Sequence, residues 1–330
     1  MDFSTARDRL SERLLQFCWE QWAQMGVSAP VTRNDGWAAD PEALILFTLE
    51  VGRDDPRLLD EVLDWVHANE RWLSVQRLRN LAREDEDRAL VEAALGWAAQ
   101  WRSRPRLKAR PPGTDGEPVP YFRTLGGPVP DPDPAFLAAG FLKPASAPSG
   151  KSQAPDLGLP INFALRMRAI FGVGGRAEVA RVLVCSRALG LSAQELANLT
   201  GFAKRNVQEA LSGLRDAGVV SSSQVANEQR FEAPRERWEE FLALPIREIP
   251  VLIDWPALLH ALRTILRWFR DPRNESLSPY MQTSEARALL DEVGQELLSL
   301  GIEGSRTLAP GTEIWPRFLR VVDEVRDLVE

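Results

Sequence analysis

Thirteen of the chain's 24 prolines fall between residues 102 and 160. Proline fixes φ and removes a backbone donor, so no long helix can run through this stretch. The chain is thereby divided before any motif is considered. A helical N-terminal domain is expected over 1–101 and a Pro-rich linker over 102–160. A third domain is expected over 161–245 and a helical C-terminal region over 246–330. With 330 residues, two or three cores are the natural number. The linker is expected to be extended or irregular and the preferred place for a protease to cut. One part breaks the pattern, with Phe136, Leu137, Phe141 and Leu142 close together. They read as a short helical turn packing on the protein's own surface.

The first segment has helical periodicity. Leu10, Leu14, Phe17, Cys18 and Trp22 recur at three- and four-residue steps, predicting one amphipathic helix over 2–25 that ends at Gly26. Asp40-Pro41 and Asp55-Pro56 each place a capping carboxylate before a proline suited to the first helical position. Further helices are expected near 74–83 and 86–101. The last segment returns to the same pattern, with Leu262, Ile265, Leu266, Trp268 and Phe269 crowded on one helix. That surplus of apolar surface, with Leu10, Leu14 and Phe17, leads to the expectation of a homodimer joined through the terminal helices.

Net charge is −7, which taken over the whole chain disfavours a polyanion partner. Its distribution is uneven. Residues 160–235 hold ten Arg and Lys against six Asp and Glu, for +4, while 236–330 sum to −6 and 1–159 to −5. A basic middle between acidic flanks can still attract phosphate, because screening limits the reach of charge to roughly 10 Å.

Within that middle, RAEVARVLVCSRALG predicts a helix with Val179, Val182, Leu183 and Leu189 apolar. Ser192 and Glu195 then form a capping-box pair before a short helix that ends at Thr200-Gly201. AKRNVQEALSGLRDAG predicts a longer helix closed by Gly218. VVSSSQ and QRFEA, around a polar tip at Val225, Ala226 and Asn227, predict a hairpin. Phased at 100° per residue, the longer helix buries Val207, Ala210, Leu211 and Leu214 and turns Arg205, Gln208, Glu209 and Ser212 outward.

This order, carried by S-x-x-E-L-A, T-G-F-A-K-R-N-V and L-x-x-L-x-x-A-G-V-V over residues 176–233, resembles the winged helix-turn-helix of MarR- and ArsR-type transcription regulators. The resemblance implies a mainly α protein with a short β-hairpin wing that binds double-stranded DNA. Lys204, Arg205, Asn206, Gln208 and Ser212 would face the bases or backbone, Arg230 on the wing an adjacent groove, and Ser192 and Gln194 phosphate. Ala203 departs from the pattern, since a small hydroxyl residue usually precedes the recognition helix.

Other chemistries find little footing. Gly172, Gly174 and Gly175 follow a helical stretch rather than a strand, so they read as a joint between helices and not a dinucleotide site. His67 and His260 are far in sequence from Cys18 and Cys185, both expected to be buried thiols, and no metal set or catalytic triad can be built. No P-loop is present, and no cofactor is expected. No apolar run spans a membrane and the N-terminus lacks a signal-peptide core, so a cytoplasmic location is expected. The sequence thus points to a non-enzymatic DNA-binding regulator, most simply a repressor. The alternative is a protein-interaction component, such as an antitoxin or an accessory subunit of a defence or repair system, using the winged helix and linker to hold a protein partner.

Overall fold

The computed structural model describes residues 2–31, 36–110, 116–124, 126–188, 190–302 and 313–329; Leu189 lies outside them. The protein is mainly helical. It divides into two compact units, Glu20–Ile253 and Met1–Trp19 with Asp254–Glu330. The boundaries expected at 101/102 and 160/161 therefore fall inside one unit, and the basic middle shares that unit with most of the N-terminal helices.

The first helix, α1 (Phe3–Gln24), supplies residues to both units. It stops at Gly26, whose φ of 105° and close approach to the Gln153 carbonyl leave no room for a side chain. The two Asp-Pro starts behave as the sequence predicts. Asp40 accepts from the Ala43 amide to open α2 (Pro41–Val51), and Asp55 accepts from the Arg57 and Leu58 amides to open α3 (Pro56–Ala68). Helices α4 (Val75–Leu81) and α5 (Asp85–Gln100) complete the layer. All of α2 is buried, including Glu42, Thr48 and Glu50. Trp22, Trp65 and Trp97 fill the core, while Trp101 remains exposed.

The described residues of the Pro-rich stretch form a docked covering, not a free linker. Val119–Pro120 (β1) pairs in parallel with Phe141–Leu142 (β2), on either side of α6 (Pro134–Ala138). Tyr121 and Phe136 are fully buried, and the Tyr121 hydroxyl donates to the Leu49 carbonyl at 2.7 Å. The Lys143 ammonium reaches Asp60 at 2.9 Å, and Asp64 accepts from the Gly150 and Ser152 amides at 2.9 and 3.0 Å. The composition excludes a long helix here, but it does not exclude packing. Backbone donors left without a helix find carboxylates of α3 instead.

After this covering, α7 (Phe163–Phe171) and α8 (Gly175–Cys185) meet at the glycine joint, where Gly172 and Gly174 take positive φ. Next come β3 (Leu191–Ser192), α9 (Ala193–Thr200), α10 (Lys204–Asp216), β4 (Ser221–Val225), β5 (Glu228–Glu232) and α11 (Arg235–Leu242). The three strands form an antiparallel sheet in the order β3-β5-β4. A two-residue strand such as β3 carries too little pattern to be read in sequence. Val182, Leu196, Val207, Leu211, Leu214 and Phe231 lie together in the core of this part.

In the other unit, α12 (Trp255–Arg270), α13 (Pro272–Glu275), α14 (Pro279–Glu292), α15 (Gly294–Ser299) and α16 (Ile314–Asp327) pack with residues 3–19 of α1. Leu10, Leu14, Phe17, Leu262, Ile265, Leu266 and Phe269 are all buried. Phe17 stacks on Trp255 at 5.9 Å, and Phe3 meets Phe269 at 5.1 Å. The apolar stripes that suggested a dimer are thus covered within one chain. Among the described residues, no helix is long and apolar enough to cross a membrane.

Candidate nucleic-acid interface

The capping box forms as expected. The Ser192 hydroxyl accepts from the Glu195 amide at 3.2 Å, and Glu195 accepts from the Ser192 amide at 2.7 Å, opening α9. Gly201, in the left-handed conformation, turns the chain into α10. One face of α10 buries Val207, Ala210, Leu211 and Leu214. The other face, the start of α9 and the β4–β5 turn enclose a groove of about 520 Å³. Gln194, Lys204, Gln208, Ser212, Arg215, Asn227 and Gln229 give it a lining of amides, hydroxyl and cations, with Glu228 the acidic member.

The structure brings together five of the eight expected contact residues, since Ser192, Gln194, Lys204, Gln208 and Ser212 all line this groove. Ser192, however, is 3% exposed and holds the α9 cap, so its hydroxyl is not presented as an external contact. Arg205, Asn206 and Arg230 lie outside the lining. Arg205 is exposed but pairs with Glu209 at 3.2 Å, one helical turn on. Asn206 is half-buried. Arg230 donates to the Gly190 carbonyl at 3.2 Å and pairs with Glu228 at 3.1 Å, which ties it to the sheet. Arg215, Asn227 and Gln229 were missed. Arg215 was accessible from spacing, since 208, 212 and 215 share one helix face. Asn227 and Gln229 share the groove with α10 through tertiary packing, which helix spacing does not reveal.

The surface is less basic than the sequence suggests. Two of the ten cations of the middle, Arg168 and Arg181, are buried in an ion network. Arg168 donates to both oxygens of Glu42 at 2.8 and 2.6 Å and to Glu178 at 2.9 Å. Arg77 grips Asp40, reaches Glu42 at 2.9 Å and donates from Nε to the Thr200 carbonyl at 2.6 Å. Burial by itself would raise the Asp40 and Glu178 carboxyls, but the facing guanidiniums of Arg77 and Arg168 hold both below the usual carboxylate range. Burial likewise disfavours charge on Arg77 and Arg168, and the carboxylates beside them raise both. Over residues 190–232, Lys204, Arg205, Arg215 and Arg230 stand against Glu195, Glu209, Asp216, Glu228 and Glu232. Lys204 and Arg215 have no salt-bridge partner among the described residues.

Cys18 and Cys185 are both buried, and burial pushes the Cys185 thiol up to about 12, far from a reactive thiolate. No group of His, Cys, Asp and Glu suited to a metal occurs among the described residues. Searches against protein-family models, curated proteins and solved structures find no match to this chain.

Proposed function

We propose that the protein binds double-stranded DNA through a winged helix and acts as a non-enzymatic transcription regulator of the repressor type in the cytoplasm. The observation that carries this reading is the groove. It is bounded by an exposed face of α10, the α9 N-terminus and the β4–β5 turn, and lined by Lys204, Gln208, Ser212, Arg215 and Asn227. In this reading α10 is the recognition helix and β4–β5 the wing. Helix, strand, helix, turn, helix and strand pair, with sheet order β3-β5-β4, support that assignment. Gln and Asn match adenine edges, Arg matches guanine, and Lys204 suits phosphate. A pair of copies on a two-fold site would double a contact that one short helix can make to only a few base pairs. That pairing is proposed without the terminal helices, whose stripes are internal. Titration of the full-length protein with its own upstream duplex and a scrambled duplex, across salt, tests the reading. Tighter binding to the first supports it, and no salt-dependent binding to either overturns it.

A second reading is favoured by one observation, the near balance of charge over residues 190–232. A surface of that kind suits a protein partner better than a polyanion. A stable complex with another protein, alongside absent DNA binding, would select it.

A further inference from the structure

We propose that α4 positions α10, by capping the end of α9 from outside the helix-turn-helix segment. The starting observation is a deficit. Ala203 occupies the N-cap of α10 and no side-chain hydrogen bond holds that end. A helix start without a side-chain cap is ordinarily weakened, because its first amides lack a partner. Its direction must then be fixed by something else.

The carbonyls just before it supply the handle. Carbonyls at a helix C-terminus have no partner within the helix and carry its partial negative charge. Here two side chains of α4 meet them. Arg77 donates from Nε to the Thr200 carbonyl at 2.6 Å, and Asn80 donates from Nδ2 to the Gly201 carbonyl at 3.1 Å. Leu81 closes the same contact: a Cβ on Gly201 would stand 3.0 Å from its Cδ2. Arg77 cannot drift, because Asp40 and Glu42 hold its other nitrogens in a fully buried site. The turn between α9 and α10 is thus seated on a rigid part of the N-terminal layer, which replaces the missing local cap. Arg77 and Asn80 are positioning residues for the groove, and neither belongs to its lining.

The test uses full-length protein carrying Asn80→Ala, an exposed site where truncation leaves the buried network whole. Two amides report on the turn: Gly201, which donates to Ala197 at 3.0 Å, and Val207, which donates to Ala203 at 3.2 Å. Hydrogen exchange at both should accelerate roughly three- to tenfold, the loss expected of one hydrogen bond. Adding Ala203→Ser to Asn80→Ala should slow the Val207 amide again, because the new hydroxyl caps α10 locally. Unchanged exchange in Asn80→Ala, or no rescue by Ala203→Ser, would overturn the proposal. Its affinity arm rests on the DNA reading: binding of the upstream duplex should fall roughly three- to tenfold in Asn80→Ala. Faster exchange with unaltered affinity would sink the positioning role. If the wild-type protein binds no duplex, the DNA reading fails and the exchange measurements alone decide this proposal.

Discussion

Glu42 and Arg168, 126 residues apart in the chain, meet through two parallel hydrogen bonds of 2.8 and 2.6 Å with neither side chain exposed. The pair joins the start of α2 to α7, and through Glu178 to α8. It ties the N-terminal layer to the basic middle within one compact unit.

Breaking that pair should be expensive. Arg168→Met leaves Glu42 and Glu178 buried with one cation fewer, so a loss of about 3–5 kcal/mol is expected. Adding Glu42→Gln should recover most of it, since the unpaired charge is then removed. Urea unfolding at neutral pH measures both. A single-variant cost below about 1 kcal/mol would show that the network contributes little to holding these parts together.

The same network sets a direction for pH dependence. Asp40 and Glu178 have folded-state values held below their ordinary 3.8 and 4.5. Their contribution to stability is therefore full above those ordinary values and is lost as pH falls through the depressed ones. The urea midpoint should fall steeply below about pH 4.5. Asp40→Asn should be less stable at pH 7 and show a shallower acid slope. An acid slope identical to wild type would remove Asp40 from the account.

The docked covering gives a proteolysis prediction opposite to that of a free linker. Phe141 is 5% exposed, so chymotrypsin should not cut after it before the unit unfolds. Tyr121→Ala should cost about 3–5 kcal/mol by emptying a buried aromatic site, and should expose the Phe141–Leu142 bond to chymotrypsin. Rapid chymotryptic cleavage after Phe141 in the native wild type would mean that this stretch is not held down.

In the groove, Gln208→Ala should weaken specific DNA binding by about 1–3 kcal/mol. Lys204→Ala and Arg215→Ala should weaken binding to every sequence and each lower the salt slope by about one. Glu209→Gln should strengthen binding, because it frees Arg205 and removes a repelling charge. Fluorescence anisotropy over a salt series reads all four. Wild-type behaviour throughout would place the DNA contact elsewhere or remove it.

Much of the local architecture was legible in the residues themselves. Asp40-Pro41 and Asp55-Pro56 open helices, Ser192 and Glu195 close a capping box, and Val207, Ala210, Leu211 and Leu214 form a buried face. These features depend on neighbours within about one helical turn, so sequence spacing determines them. The fate of residues 102–160, the burial of Arg168 and Arg181, and the entry of Asn227 and Gln229 into the groove were decided only in three dimensions. Each depends on partners distant in the chain: Asp60 and Asp64 for the covering, Glu42 for Arg168, and the shared lining of α9, α10 and the strand pair for the groove. A count of charges cannot tell a surface cation from one sealed against a distant carboxylate. Only tertiary packing makes that distinction, because desolvation and pairing act on where a side chain ends up and not on what it is.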